Sequence, residues 1–291
     1  MHENERADTI DLSGTWAFSL GEQRGDIDVP GCWEAQGYDK YRDDPAVYRR
    51  TFHLPETWAG RPSALEFDAV SYHAEVAVDG EVIGEHRGLW TPFQVALPDG
   101  ITPGEHELTV TVYKPGERFP MRESLAGFLP DVCTTFGGIW QGVRLTARSA
   151  PGFAGIHLKP EPPDLLTLRV DLDAEAAGAL ALSIEIHDPD GALTAAVQDD
   201  SPSSQQAYTL EIPGAQLWSP GAPNLYTLTA TLTQDGQPTA TITRRFGFRQ
   251  LRADGGQLLF NDAPACLRGL LHWGWYPDLI CPTPDADTIR A

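Results

Sequence analysis

The residues best suited to chemistry here are tryptophans and a few isolated carboxylates. Trp16, Trp33, Trp58, Trp90 and Trp140 fall in the first half of the chain. An indole face can stack on the apolar face of a sugar ring, and it can equally fill the core of a β-sandwich. Trp16 and Trp140 sit on apparent strands and read as core, whereas Trp90, in Arg87-Gly88-Leu89-Trp90-Thr91-Pro92, sits on a loop. A second aromatic group, His272, Trp273, Trp275 and Tyr276, lies near the C-terminal end. Its imidazole can bind a hydroxyl and its rings can stack. Two carboxylates, Glu34 and Glu123, invite a catalytic reading, but nothing in their surroundings assigns them one. Cys32, Cys133, Cys266 and Cys281 lack the close paired spacing of a zinc or redox motif, and the eight histidines are scattered. No structural metal and no cofactor are expected. Sparse cysteine fits a reducing compartment, with a Cys32–Cys133 contact as the one pairing open inside a single domain.

Composition narrows the class. The chain has 291 residues, 41% of them hydrophobic, with Gly 28 and Pro 24, which suits about two domains of short strands joined by turns. The formal charge is -20, so clustered basic residues for nucleic-acid phosphates are not expected. No window approaches the roughly 18 apolar residues of a membrane span, so no membrane partner is expected. Met1 to Asp11 is polar and lacks the apolar core of a secretion signal, and a cytoplasmic location is the default reading.

The elements that would carry these residues read as strands. Leu108, Val110 and Val112 alternate with Thr109 and Thr111. Leu166 to Leu172, Leu180 to Ile186 and Tyr226 to Leu232 alternate likewise, the mark of half-buried strands. Asp79-Gly80 and Asp235-Gly236 each divide two strands, as tight hairpin turns do. The expected fold class is all-β. A jelly-roll sandwich is expected over 1–148, Arg144 to Arg148 being its last strand. An immunoglobulin-like sandwich is expected over 151–248. In 249–291, Gln257 to Asp262 reads as a hairpin arm and Ala265 to Arg268 as a short buried strand. Pro282 to Asp285 reads as a helix entrance, and Asp287 to Ala291 as its first turn.

Five phrases occur in order: Val29-Pro30-Gly31-Cys32-Trp33-Glu34, Val47-Tyr48-Arg49-Arg50-Thr51-Phe52, Gly137-Gly138-Ile139-Trp140-Gln141, Phe246-Gly247-Phe248-Arg249 and Cys266-Leu267-Arg268-Gly269-Leu270-Leu271-His272. Together they resemble the front half of glycoside hydrolase family 2, which includes β-galactosidases, β-mannosidases and β-glucuronidases. The resemblance spans about residues 10–291. It implies a jelly-roll sugar-binding domain, an immunoglobulin-like domain and the first strand and helix start of a (β/α)8 barrel, cut off where the barrel begins. A full barrel needs about 250 residues. By resemblance both catalytic glutamates lie on later barrel strands, so no catalytic residue is expected in this chain. The implied partners are a β-glycoside and the catalytic barrel, with room for a homo-oligomer.

The resemblance also marks three substrate-binding candidates. Asp131 lies in the loop Pro130 to Phe136, which in some members carries an aspartate to a sugar hydroxyl; the match here needs a one-residue insertion. His272 and Trp273 follow the first barrel strand, in a segment that lines the substrate pocket of family members. Many members have an Asn and a His-Glu pair there, where this chain has Leu270-Leu271-His272-Trp273-Gly274. For His272 and Trp273, packing between barrel and sandwich stays equally open, and for Tyr276 it is preferred. Arg268 reads as a buried charge awaiting a carboxylate from the barrel. Two further readings remain: a stand-alone carbohydrate-binding module and a structural protein of two β-sandwiches.

Overall fold

The computed structural model describes residues 8–120, 135–147, 151–173, 179–270, 280, 287 and 290. The chain is all-β and divides into two compact units, one built on Asp8–Ala147 and the other on Arg148–Leu270.

The first unit is a sandwich of ten strands. These are β1 (Asp8–Asp11), β2 (Gly14–Leu20), β3 (Gln23–Val29), β4 (Ala46–Leu54), β5 (Ser63–Phe67), β6 (His73–Val78), β7 (Glu81–Arg87), β8 (Phe93–Ala96), β9 (Gly104–Tyr113) and β10 (Val143–Ala147). A four-stranded sheet, β1-β10-β5-β8, faces a six-stranded sheet, β3-β2-β4-β9-β6-β7. The alternation in β9 sets its faces, because successive strand residues point to opposite sides of a sheet. Leu108, Val110 and Val112 are fully buried in the core with Leu65, Phe67, Val143 and Leu145. The β6–β7 hairpin turns on Asp79 and Gly80, with φ of 52° and 84°. Both lie in the left-handed region that a tight two-residue turn requires. Trp16, on β2, is buried and donates its indole N–H to the Leu12 carbonyl at 2.9 Å.

The second unit is a seven-stranded sandwich of β11 (Gly152–Glu161), β12 (Leu165–Asp173), β13 (Leu180–His187), β14 (Leu193–Asp199), β15 (Gln205–Glu211), β16 (Tyr226–Gln234) and β17 (Gln237–Phe246). Its sheets run β11-β12-β15 and β14-β13-β16-β17. The alternating residues expected of β12, β13 and β16 form its core, and Asp235-Gly236 makes the β16–β17 turn. A small sheet follows, of β18 (Leu251–Asp254), β19 (Gln257–Phe260) and β20 (Ala263–Pro264). It is fixed to this unit by Asn261, whose amide donates to the Trp218 carbonyl at 3.0 Å. Phe260 also meets the Trp218 ring edge-on.

Two expectations need correction. Trp140 is buried, but in an irregular segment just before β10 rather than on a strand. Ala265 to Arg268 forms no strand, and Leu267 is 70% and Leu270 95% exposed. A four-residue strand needs a neighbour for its N–H and C=O groups; only Ala265 has one, donating its N–H to the Leu258 carbonyl of β19 at 2.8 Å, and no described strand lies alongside Cys266 to Arg268. Arg268 is exposed here, and the carboxylate expected to cover it belongs to the barrel. The expected helix entrance at 282–285 lies outside the described residues. Asp287 and Arg290 have helical backbone, joined by an ion pair of 3.0 Å.

Candidate functional site

Two sequence phrases of the first unit, Val29 to Glu34 and Gly137 to Gln141, meet in one junction. The backbone of Gly31 donates to the Ile139 carbonyl at 2.9 Å, and that of Trp33 to the Gly137 carbonyl at 3.1 Å. On the other side, Ser71 and Gly138 exchange backbone hydrogen bonds of 2.9 and 3.3 Å, and the Ser71 hydroxyl donates to the Phe136 carbonyl at 2.6 Å. The 136–142 segment is thus laid between two others, with its paired glycines as the close contact. A Cβ on Gly137 would fall 2.0 Å from Cη2 of the fully buried Trp33. Gly138, at φ +140°, would place one 2.5 Å from the Gly31 carbonyl oxygen.

A buried ion pair locks this junction. Glu34 and Lys114 side chains are 4% and 3% exposed, with Nζ 3.2 Å from Oε1. Both Glu34 oxygens lie 3.1 Å from the Gly137 N–H that they accept. Lys114 also donates to the Lys40 carbonyl, and its ammonium lies 5.7 Å from the centroid of the Trp33 ring. Burial raises the Glu34 carboxyl above its usual range, while the Gly137 N–H and the Lys114 charge oppose the rise. Glu34 is therefore bound into the fold of the junction.

Beside the junction lies a small apolar cluster of Cys32, Ala69, Leu89, Phe136 and Trp140, against which Tyr72 and Ile280 pack. The Trp140 indole donates to the Leu89 carbonyl at 3.0 Å and so anchors the loop between β7 and β8. That loop presents Trp90, which is 46% exposed. Its ring stands edge-on to Trp140 at 5.4 Å and to Phe136 at 6.2 Å. Thr91 and His86 make a side-chain hydrogen bond of 3.3 Å, and Gly88 donates its backbone N–H to Tyr72. The exposed indole is thereby held in one orientation. His86 stacks on Phe93 at 4.1 Å; burial and then the nearby His73 hold its imidazole below its ordinary value.

Asp131, His272 and Trp273 lie outside the described residues, as do Glu123, Cys133, Trp275 and Tyr276. Two described residues beside them, Phe136 and Ile280, meet in the apolar cluster. Trp90 occupies the exposed loop position read from the sequence. The partnership of Glu34 with Lys114 was not legible there, because 80 residues separate them. The only hint was a lysine, one of three in the chain, placed directly after an alternating strand. Among the described residues no group of three or more His, Cys, Asp or Glu could hold a metal ion, and no helix is long and apolar enough to cross a membrane.

Two β-sandwiches in this order, the first with two of its sequence phrases joined at one junction, define an N-terminal arrangement of carbohydrate-active enzymes. The profile described as "Glycosyl hydrolases family 2, sugar binding domain" matches residues 38–147, and that described as "Glycosyl hydrolases family 2" matches 156–249. The chain belongs to glycoside hydrolase family 2. It is 24% identical over 290 residues to a β-galactosidase of Thermoanaerobacter pseudethanolicus, covering 94% of this chain and 38% of that protein. Among solved structures, it resembles a family 2 β-galacturonidase from Eisenbergiella tayi bound to galacturonate. That match has 27% identity and a TM-score of 0.78, over 99% of this chain and 52% of the other. It also shares the fold of a Bacteroides uniformis β-glucuronidase, with 24% identity and a TM-score of 0.83, over 98% of this chain and 38% of the other. The chain spans about half the length of these proteins or less.

Proposed function

We propose that this chain is the non-catalytic N-terminal region of a retaining β-glycoside hydrolase, and that the end of its first sandwich frames the sugar site. In such hydrolysis one carboxyl group protonates the leaving oxygen while a second, about 5–5.5 Å away, attacks the anomeric carbon. Both carboxyls are assigned to a barrel in the longer protein. The chain's own part is to shape the mouth of the site, to exclude water and to bind hydroxyl groups. The observation that carries this reading is the meeting of Phe136, Ile280 and the anchored Trp90 loop around one cluster. The segments leading into Phe136 and Ile280 hold Asp131, His272 and Trp273. Asp131 is assigned to accept a sugar hydroxyl, His272 to bind a hydroxyl and Trp273 to stack on the ring. The relatives' names support a β-glycoside, a carbohydrate, as substrate and partner; the barrel and a second copy of the protein are partners proposed from the sequence resemblance alone.

The test is Asp131→Ala in the longer protein. A charge-assisted hydrogen bond is worth roughly 1.5–3 kcal/mol, so kcat/KM on a chromogenic β-glycoside should fall about 10–150-fold. The melting temperature of the 291-residue chain should not change. Unchanged kinetics with a large loss of stability would make Asp131 a structural cap and remove it from the site.

A further inference from the structure

Next to the Trp90 loop is a second aromatic group with an unusual charge. Phe119 is packed by Tyr72 at 5.5 Å, His73 at 5.2 Å and Tyr113 at 6.2 Å between ring centroids. The turn that carries it is tied twice. The Gly116 N–H donates to the Phe119 carbonyl at 2.9 Å, and the Glu117 N–H to Asp43 Oδ2 at 3.1 Å. Two guanidinium groups sit on this fixed ring, Arg87 at 5.4 Å and Arg118 at 5.7 Å from its centroid. Arg118 also covers Tyr113 at 4.2 Å.

Aromatic rings satisfy the faces of a guanidinium and leave its N–H edge unused. In a chain with 41 acidic and 21 basic residues, an arginine readily finds a carboxylate. Arg144 pairs with Glu66 and Asp68, and Arg252 with Asp254 and Asp262. Arg87 and Arg118 pair with none among the described residues. Two acids that touch this cluster are engaged with other groups: Glu85 with His73 Nε2 at 3.2 Å, and Asp43 with the Glu117 amide at 3.1 Å. Glu117 itself is exposed on the turn. The same cluster holds a buried polar atom without a partner, Nδ1 of His73, whose side chain is 5% exposed. The two guanidinium groups gathered on one ring make a local positive site in a strongly acidic protein.

We infer that Arg87 and Arg118, mounted on Phe119, form a subsite for the carboxylate of an acidic sugar unit beside Trp90. The inference rests on the reading of the Trp90 end as part of a sugar site. Arg87 stands directly before the Gly88–Pro92 loop, and Tyr72 touches both Phe119 and the apolar cluster under Trp90. A planar guanidinium pairs with a carboxylate through two parallel N–H···O bonds, which a hydroxymethyl group cannot accept. The subsite would therefore separate uronic acids from neutral hexoses.

The test is an NMR titration of the 291-residue chain, following the backbone amides of Gly88 and Phe119. Methyl β-D-glucuronide, methyl β-D-glucoside and acetate would each be added to roughly 100 mM, because ligands of this size bind weakly. The glucuronide should bind about tenfold or more tightly than either other probe, and its affinity should fall with added salt. Arg87→Gln with Arg118→Gln should abolish the preference without changing the melting temperature, and Arg118→Lys should keep only part of it. Equal binding of glucuronide and glucoside would overturn the subsite while leaving the glycosidase reading intact. Equal binding of acetate would reduce it to a small-anion site, and no shift with any probe would show no site. Failure of the glycosidase reading would instead show in the longer protein, as absence of hydrolysis.

Discussion

Replacing Lys114 by Met should be among the most damaging single changes in the first unit. The substitution keeps the length of the side chain and its packing against Trp33, but removes the ammonium 3.2 Å from Glu34 Oε1. Glu34 is then a carboxylate only 4% exposed, with the Gly137 N–H as its remaining described donor. Removing one partner of a buried pair costs about 3–5 kcal/mol, because the other charge stays desolvated. The cost must also depend on pH. A carboxyl whose folded pKa is raised contributes stability that is complete below its unfolded value and lost as pH rises through the folded one. Burial already raises Glu34 above 4.5, and without Lys114 it rises further. The deficit of the variant should therefore be larger at pH 8 than at pH 5. Urea unfolding followed by tryptophan fluorescence reads the first unit well, since Trp16, Trp33, Trp58, Trp90 and Trp140 all lie in it. The double variant Glu34→Gln with Lys114→Met should recover much of the loss, because no lone charge remains. A loss below about 1 kcal/mol, or one independent of pH, would refute the argument that this pair locks the junction.

Two further outcomes follow from the same geometry. Gly137→Ala should lower the unfolding free energy measured in urea by at least the roughly 1–3 kcal/mol typical of overpacking, since its Cβ would meet the fully buried Trp33 at 2.0 Å. His106 holds both ring nitrogens against acceptors, Asp79 Oδ2 at 2.6 Å and the Thr102 carbonyl at 2.7 Å, which demands the doubly protonated ring. Burial works against that charge, but these bonds outweigh it and raise the His106 pKa, so its contribution is full below about 6.5 and fades as pH rises through the folded value. Comparing the wild type with His106→Leu by urea unfolding between pH 5.5 and 8, roughly the range where an imidazole titrates, should show a difference that shrinks as pH rises.

Much of the fold was legible because a half-buried strand writes its faces into sequence with a period of two. Leu108 to Val112 and Tyr226 to Leu232 carried that signal, and Asp79-Gly80 and Asp235-Gly236 marked the reversals from β6 to β7 and from β16 to β17. Period cannot say whether a short apolar run has a neighbour to pair with, and so Ala265 to Arg268 was read as a strand although Cys266 to Arg268 lie exposed. Trp140 was read correctly as buried and wrongly as a strand residue. It is held by a bond to Leu89, 51 residues away, as well as by the nearby Phe136 ring. Distance along the chain also hid the site's electrostatics. Glu34 with Lys114, and Arg87 with Phe119, are brought together only by the order of strands in the six-stranded sheet.

The most direct test of the central claim compares two proteins on one panel of 4-nitrophenyl β-glycosides. The longer protein that contains this chain should hydrolyse at least one of them and release the sugar first with its β configuration kept, as the two-carboxylate double displacement requires. The 291-residue chain should fold and leave every substrate intact. Turnover by the short chain that survives removal of trace contaminants, or no hydrolysis by the longer protein, would contradict the account.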